Sequence, residues 1–357
     1  MKLQRYAFLG ALVASLAAVP GVAWSQSKTV GPKGEPATAS SELKLSDAEV
    51  AKLKGGHFKA ALVWHMAQEF TNAVTAGAKD EFDRLGIQVV ATTEAGFDAA
   101  RQKNNLDTVM AQNPNVILTI PVDPVSAGNA FRSALDQGAR FVILSNPPAG
   151  WKQGKDYVTI VTDDIYEMGK QTADGLAKAI GSKGKVGMIY YDADFYVTNQ
   201  RDQAFRETIA NSYPDIKIVA QQGFSDPARV QEIADAMLLQ HPDLDGIYTT
   251  WGEPAEGALA ALRAARNDHV KISTLDVTEV IGLDMAKDGN VASITVDEAY
   301  EIGRAMATAS GYALLGKDVP PFVVVPALTL TKGNLVKGWY QSMHREAPQS
   351  VKDAVGK

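Results

Sequence analysis

"NVILTIPVDPVSAGNAFRSALDQGARFVIL", residues 115–144, sets two apolar, β-branched runs around one helix-length interval. The runs at 115–121 and 140–146 are continuous rather than alternating, which suits strands covered on both faces. With 124–137 read as a helix, the stretch predicts strand, helix and strand, hence a parallel pair joined by a right-handed crossover.

The same unit recurs outward in both directions at intervals of roughly 25–30 residues. Strands are predicted at 58–64, 87–93, 115–121, 140–146 and 157–162, then at 185–191, 216–222, 245–250, 270–276, 291–297 and 321–330. Helices are predicted at 71–85, 98–112, 124–137, 164–180, 198–211, 226–240, 254–266 and 298–315. The fold class is therefore α/β, with two Rossmann-like lobes of parallel strands joined by a multi-strand hinge. The chain is expected to pass between lobes near Thr162–Asp164. The first lobe takes 57–162 plus 298–327, and the second 163–297 plus 328–345.

The ends read differently. Lys2 and Arg5, an apolar core and Ala23-Trp24-Ser25 make 1–25 a secretory signal, whose interruption by Pro20 and Gly21 argues against a membrane span. Residues 26–56 form an extension: the Pro/Gly/Ser-rich part predicts a flexible tether, and Ser46 with Glu49 predicts a capped short helix. Residues 346–357 are expected to be a tail. Without the signal, the net charge moves from −6 to −8, because Lys2 and Arg5 leave with it. That balance disfavours nucleic acid as a partner. The lack of cysteine fits an oxidising compartment without demanding one.

No catalytic constellation emerges. "GYALLGKD", 311–318, has the spacing of a phosphate loop, but Asp318 replaces the required Ser or Thr and the stretch ends a helix. The five histidines, His57, His65, His241, His269 and His344, show no metal-ligand spacing. No cofactor and no metal are expected.

Polar and aromatic residues do recur at the predicted strand carboxyl ends, where ligands of open α/β sheets bind. The first series supplies Trp64, His65, Gln68, Phe70, Asp123, Asn146 and Asp163. The second supplies Tyr191, Asp194, Arg201, Phe224, Trp251, Asp276 and Asp297. Carboxylates, amides and a guanidinium read hydroxyl groups, and aromatic rings cover the C–H faces of a sugar. Trp251 reads as such a platform.

From about residue 45 to 330 the chain resembles the type I periplasmic sugar-binding proteins of ABC importers, the ribose-binding-protein-like group. The resemblance rests on "TNAVTAGAKDEFDRLGIQVV", the stretch at 113–144, "TNQRDQAFRETI", "HPDLDGIYTTWGEPAEGALAAL" and "DEAYEIGRAMATASGYALLGK". It implies that His65, Gln68 and Phe70 belong to the first-lobe binding loop, and that Arg201 and Asp276 are the sugar-binding arginine and aspartate. Phe224 matches a cleft aromatic, Trp251 a strand-end polar position, and Asn146 a position where relatives often carry aspartate. Three places depart: Gly252 stands for an aspartate, Asp297-Glu298-Ala299 for glutamine, acid and proline, and Ile120 for an asparagine. The departures leave the sugar open, with room for a polyol, an amino sugar or a cationic ligand.

The expected function is an exported, monomeric protein that captures a monosaccharide or small polyol and hands it to a membrane ABC permease, without catalysis. Alternatives are a sugar-active enzyme using paired carboxylates such as Asp276 and Asp297, and a binding protein serving chemotaxis or a quorum signal. A transcription regulator sharing this body would need a DNA-binding segment where the export signal stands.

Overall fold

The computed structural model describes residues 27–193 and 195–356, so the expected export signal lies outside the described residues. The strands are β1 (Thr38–Ala39), β2 (Lys59–Trp64), β3 (Gln88–Glu94), β4 (Val116–Thr119), β5 (Arg140–Leu144) and β6 (Thr159–Asp163). They continue as β7 (Gly184–Tyr191), β8 (Ile216–Phe224), β9 (Gly246–Thr249), β10 (Lys271–Leu275), β11 (Val291–Asp297), β12 (Phe322–Val325) and β13 (Ala327–Leu330). The helices of the first half are α1 (Asp47–Gly55), α2 (Glu69–Leu85), α3 (Ala99–Met110), α4 (Pro124–Ala130), α5 (Arg132–Asp136) and α6 (Ile165–Ala179). The remainder are α7 (Tyr196–Ser212), α8 (Val230–Gln240), α9 (Gly252–Ala264), α10 (Glu279–Ala286), α11 (Ala299–Leu314), α12 (Leu335–Met343) and α13 (Gln349–Val355).

One sheet runs β1-β12-β6-β5-β4-β2-β3, with every pairing parallel. The other runs β13-β11-β10-β9-β7-β8 and is parallel except where β13 meets β11. The chain passes between the sheets after β6, after β11 and between β12 and β13. The run at 321–330, expected as one strand, divides at Pro326, which has no N–H to give a ladder. Its two halves join different sheets. The helix expected at 124–137 likewise breaks into α4 and α5 at Phe131.

Burial on both faces explains the unbroken apolar runs. In β2, Ala60, Leu62 and Trp64 enter the core shared with α2 and α11, while Ala61 and Val63 enter the core on the opposite face. The capping box at Ser46 and Glu49 opens α1 as expected.

Both ends correct the sequence reading. The segment expected to be a tether packs across the body: Thr29 is fully buried, and β1 adds a parallel edge strand to β12. The Thr29 hydroxyl donates to Asp164 at 2.5 Å, and the Val30 carbonyl accepts from Tyr196 and Gln200. Composition missed this because a short polar strand needs only backbone partners and a few hydroxyl anchors. At the other end, the expected tail contains α13, which packs on α10 and buries Val351 completely.

Candidate functional site

The carboxyl ends of both sheets border a cleft of about 710 Å³. From the first sheet it receives His65 after β2, Gln68 and Phe70 at the start of α2, Asn146 after β5 and Asp163 at the end of β6. From the second come Arg201 on α7, Trp251 after β9, Asp276 after β10 and Asp297 at the end of β11. Nine of the residues read from sequence therefore share one space.

Four others do not line it. Trp64 follows the β2 alternation into the core, where its Nε1 donates to Thr75 Oγ1 at 2.7 Å. Asp123 caps α4, accepting from the backbone of Val125 and Ser126. Tyr191 and Phe224 stand behind Trp251, with ring centroids 5.5 and 5.1 Å from it, and they fix that ring rather than face the cleft. Asp194 lies outside the described residues.

The floor of the cleft is ionic. Arg201, only 5% exposed, donates to Asp297 Oδ1 at 3.0 Å and to Asp276 Oδ2 at 3.2 Å. Its place depends on Gly169: a Cβ there would overlap the Arg201 carbonyl oxygen, so the glycine lets α6 and α7 close together. Burial lowers the guanidinium's affinity for its proton, but Asp276 and Asp297 outweigh burial and hold it firmly charged.

A third carboxyl, Asp163, is 4% exposed and hydrogen-bonds with Asp297. Burial, opposed by Arg201, pushes Asp163 up to about 6. Burial and the neighbouring Asp163 charge raise Asp297 well above the carboxylate range. Burial raises Asp276 to about 7 despite Arg201, although its side chain opens to the cleft. At the first-lobe wall, burial drives His65 down to about 4, leaving a neutral imidazole. His65 Nδ1, Asp163 Oδ1, Arg201 Nε and Asp276 Oδ1 are buried with no partner, which leaves polar capacity unused at this floor.

Backbone geometry sharpens the aim. Ser145 and Asp276 follow their strands with φ of 57° each, a left-handed conformation that costs side-chain-bearing residues on the order of 1–3 kcal/mol. Gly252 makes room for the second turn, since a Cβ there would stand 2.6 Å from the Asp276 carbonyl oxygen. An aspartate in its place would force the Asp276 loop away.

Sequence reasoning missed one whole wall. Trp339 and Met343 of α12, followed by Arg345, Glu346 and Pro348, line the cleft from the chain's last segment. No strand end marks them; the apolar spacing of Leu335, Trp339 and Met343 was the available signal. Arg345 also bonds Glu69 at 2.9 Å, linking this segment to the start of α2.

Comparison with known proteins agrees with the architecture. The chain is 24% identical to the ribose import binding protein of Escherichia coli (strain K12), over 79% of this chain and 93% of that one. It is 25% identical to the xylitol-binding protein of Mycolicibacterium smegmatis, over 73% and 75% of the two chains. The structure of an arabinose binding protein from Geobacillus stearothermophilus superposes with a TM-score of 0.71 at 21% identity, covering 78% and 98%. Residues 60–318 match the family described as the periplasmic binding protein domain. The chain belongs to the periplasmic binding protein family, in its type I group of sugar-binding proteins of ABC importers.

Proposed function

We propose that this chain is exported to the periplasm, captures a monosaccharide or small polyol between its two sheets, and delivers it to an ABC permease. The observation that carries the reading is the forked Arg201 between Asp276 and Asp297, lining with Trp251 the cleft where both sheets end. Residues 57–162 with 298–327, and 163–297 with 328–345, act as the two moving lobes of a monomer. Ligand contacts made by both lobes select the closed form.

Calorimetry of the purified protein against ribose, arabinose, xylitol and related polyols tests this. Saturable binding is expected, and its loss in Asp276→Ala and Arg201→Ala places it in the cleft. A folded protein that binds none of them refutes the reading. The family consists of binding proteins rather than enzymes. One arrangement favours catalysis: Asp276 and Asp297 share Arg201 at the cleft, and burial raises both above the carboxylate range, as an acid/base pair would need. Turnover of a bound sugar, abolished by Asp276→Asn, would establish it.

A further inference from the structure

The floor of the cleft is short of positive charge. Asp163, Asp276 and Asp297 meet one guanidinium, Arg201, so the buried group carries two more carboxylates than cations. Burial keeps His65 neutral, and Tyr248 with Asp202 behind Arg201 adds no cation. At the rim, Arg345 offsets Glu69 and Lys352 offsets Glu346. Glu253 and Glu279 also line the cleft, and among the described residues no ion pair reaches either.

Like charges this close in a buried site do not all stay ionised; protons or a bound cation must supply the shortfall. Asp163 and Asp276 both line the cleft, and the Oδ1 atom of each is buried without a donor from the described residues. An ammonium brings three donors and one positive charge to such a place, whereas a hydroxyl brings one donor and no charge.

Resting on the reading above, we propose that the preferred ligand is a polyhydroxylated amine, an amino sugar or amino polyol whose ammonium sits among Asp163, Asp276 and Asp297. The hydroxyls engage Arg201, Asn146 and Gln68, and the ammonium replaces protons that the three crowded carboxyls otherwise share. Binding therefore releases protons, while a neutral polyol leaves the carboxyls protonated.

The test uses matched pairs by titration calorimetry at pH 7 and about 150 mM salt: glucosamine against glucose, and 1-amino-1-deoxyglucitol against glucitol. Pentose and pentitol pairs of the same kind extend the panel. The amine of at least one pair is expected to bind tenfold or more tightly than its neutral partner. The measured heat should vary with the buffer's ionisation enthalpy in the direction of proton release. Asp297→Asn, which keeps the shape and removes a charge, should cut that preference at least fivefold. If neutral members bind and amines do not, this inference fails while the sugar-binding reading stands. If no member of any pair binds a protein that melts cooperatively, both fail. Should Asp297→Asn not fold, Asp276→Asn serves the same comparison.

Discussion

Replacing Arg201 by methionine removes the cation and keeps most of the side-chain volume. Arg201 serves two carboxylates directly and a third through Asp297, so its loss leaves a buried acidic cluster without a counter-charge. Breaking a buried pair from one side costs about 3–5 kcal/mol when the remaining group stays ionised. The cluster has an escape, which is to take up protons. Carboxyl affinities already raised in the native protein rise further without Arg201, so the folded state binds more protons than the unfolded one. Stability conferred by such groups is present at low pH and lost as pH climbs through their folded values. One extra proton held across pH 5–8 amounts to about 4 kcal/mol over the three pH units. Asp276, whose side chain is 38% exposed, contributes less than the buried Asp163 and Asp297.

Urea unfolding of the ligand-free protein should thus show Arg201→Met less stable than wild type by about 3–5 kcal/mol at pH 8, and by no more than about 1 kcal/mol at pH 5. Equal deficits at the two pH values would refute the reasoning, because they would mean that the substitution acts through packing alone. Calorimetry on the same variant checks the site. Affinity should fall by at least tenfold, since the loss of a buried charged partner is worth about 2–5 kcal/mol.

Thr29→Val keeps the volume but removes the hydroxyl that bonds Asp164, and unfolding should register a loss of about 1–3 kcal/mol; an unchanged midpoint would show that the N-terminal segment does not brace the crossover. Gly252→Ala pushes a methyl against the Asp276 carbonyl oxygen, and a tenfold or greater loss of ligand affinity with about 1–3 kcal/mol of destabilisation is expected from calorimetry and melting. Tyr248→Phe removes the donor 2.7 Å from the buried Asp202 and should cost about 1–3 kcal/mol in urea unfolding, less below pH 6, because burial raises Asp202 to about 6 and the protonated acid tolerates the loss.

Most of the architecture was legible because parallel strands buried on two faces cannot hide: runs such as Val116–Thr119 and Arg140–Leu144 have no polar alternation. The cleft was legible for a related reason. A residue directly after such a strand, like His65 or Asp276, leaves the core at the sheet's edge. At the last residue of a strand the alternation decides: Trp64 turns inward, whereas Asp163 and Asp297, ending β6 and β11, reach the cleft. Asp123 sits at an equally suggestive spot but is consumed by the amides of α4. Tyr191 and Phe224 were placed near the right neighbour and at the wrong depth, because sequence does not tell which aromatic of a cluster is outermost. Packing decided the two ends: Thr29 and Val351 are buried by distant partners that local composition does not announce.

The aromatic cluster around Trp251 gives the molecule its own optical signal. Among the described residues Trp64, Trp151 and Trp339 are shielded, with exposures of 2%, 0% and 2%, while Trp251 is partly exposed at the cleft and braced by two rings. Emission excited at the red edge of indole absorption will change when a solute displaces water from that ring, over a steady background from the shielded three. Binding can thus be followed by fluorescence, without a label or knowledge of the solute in advance.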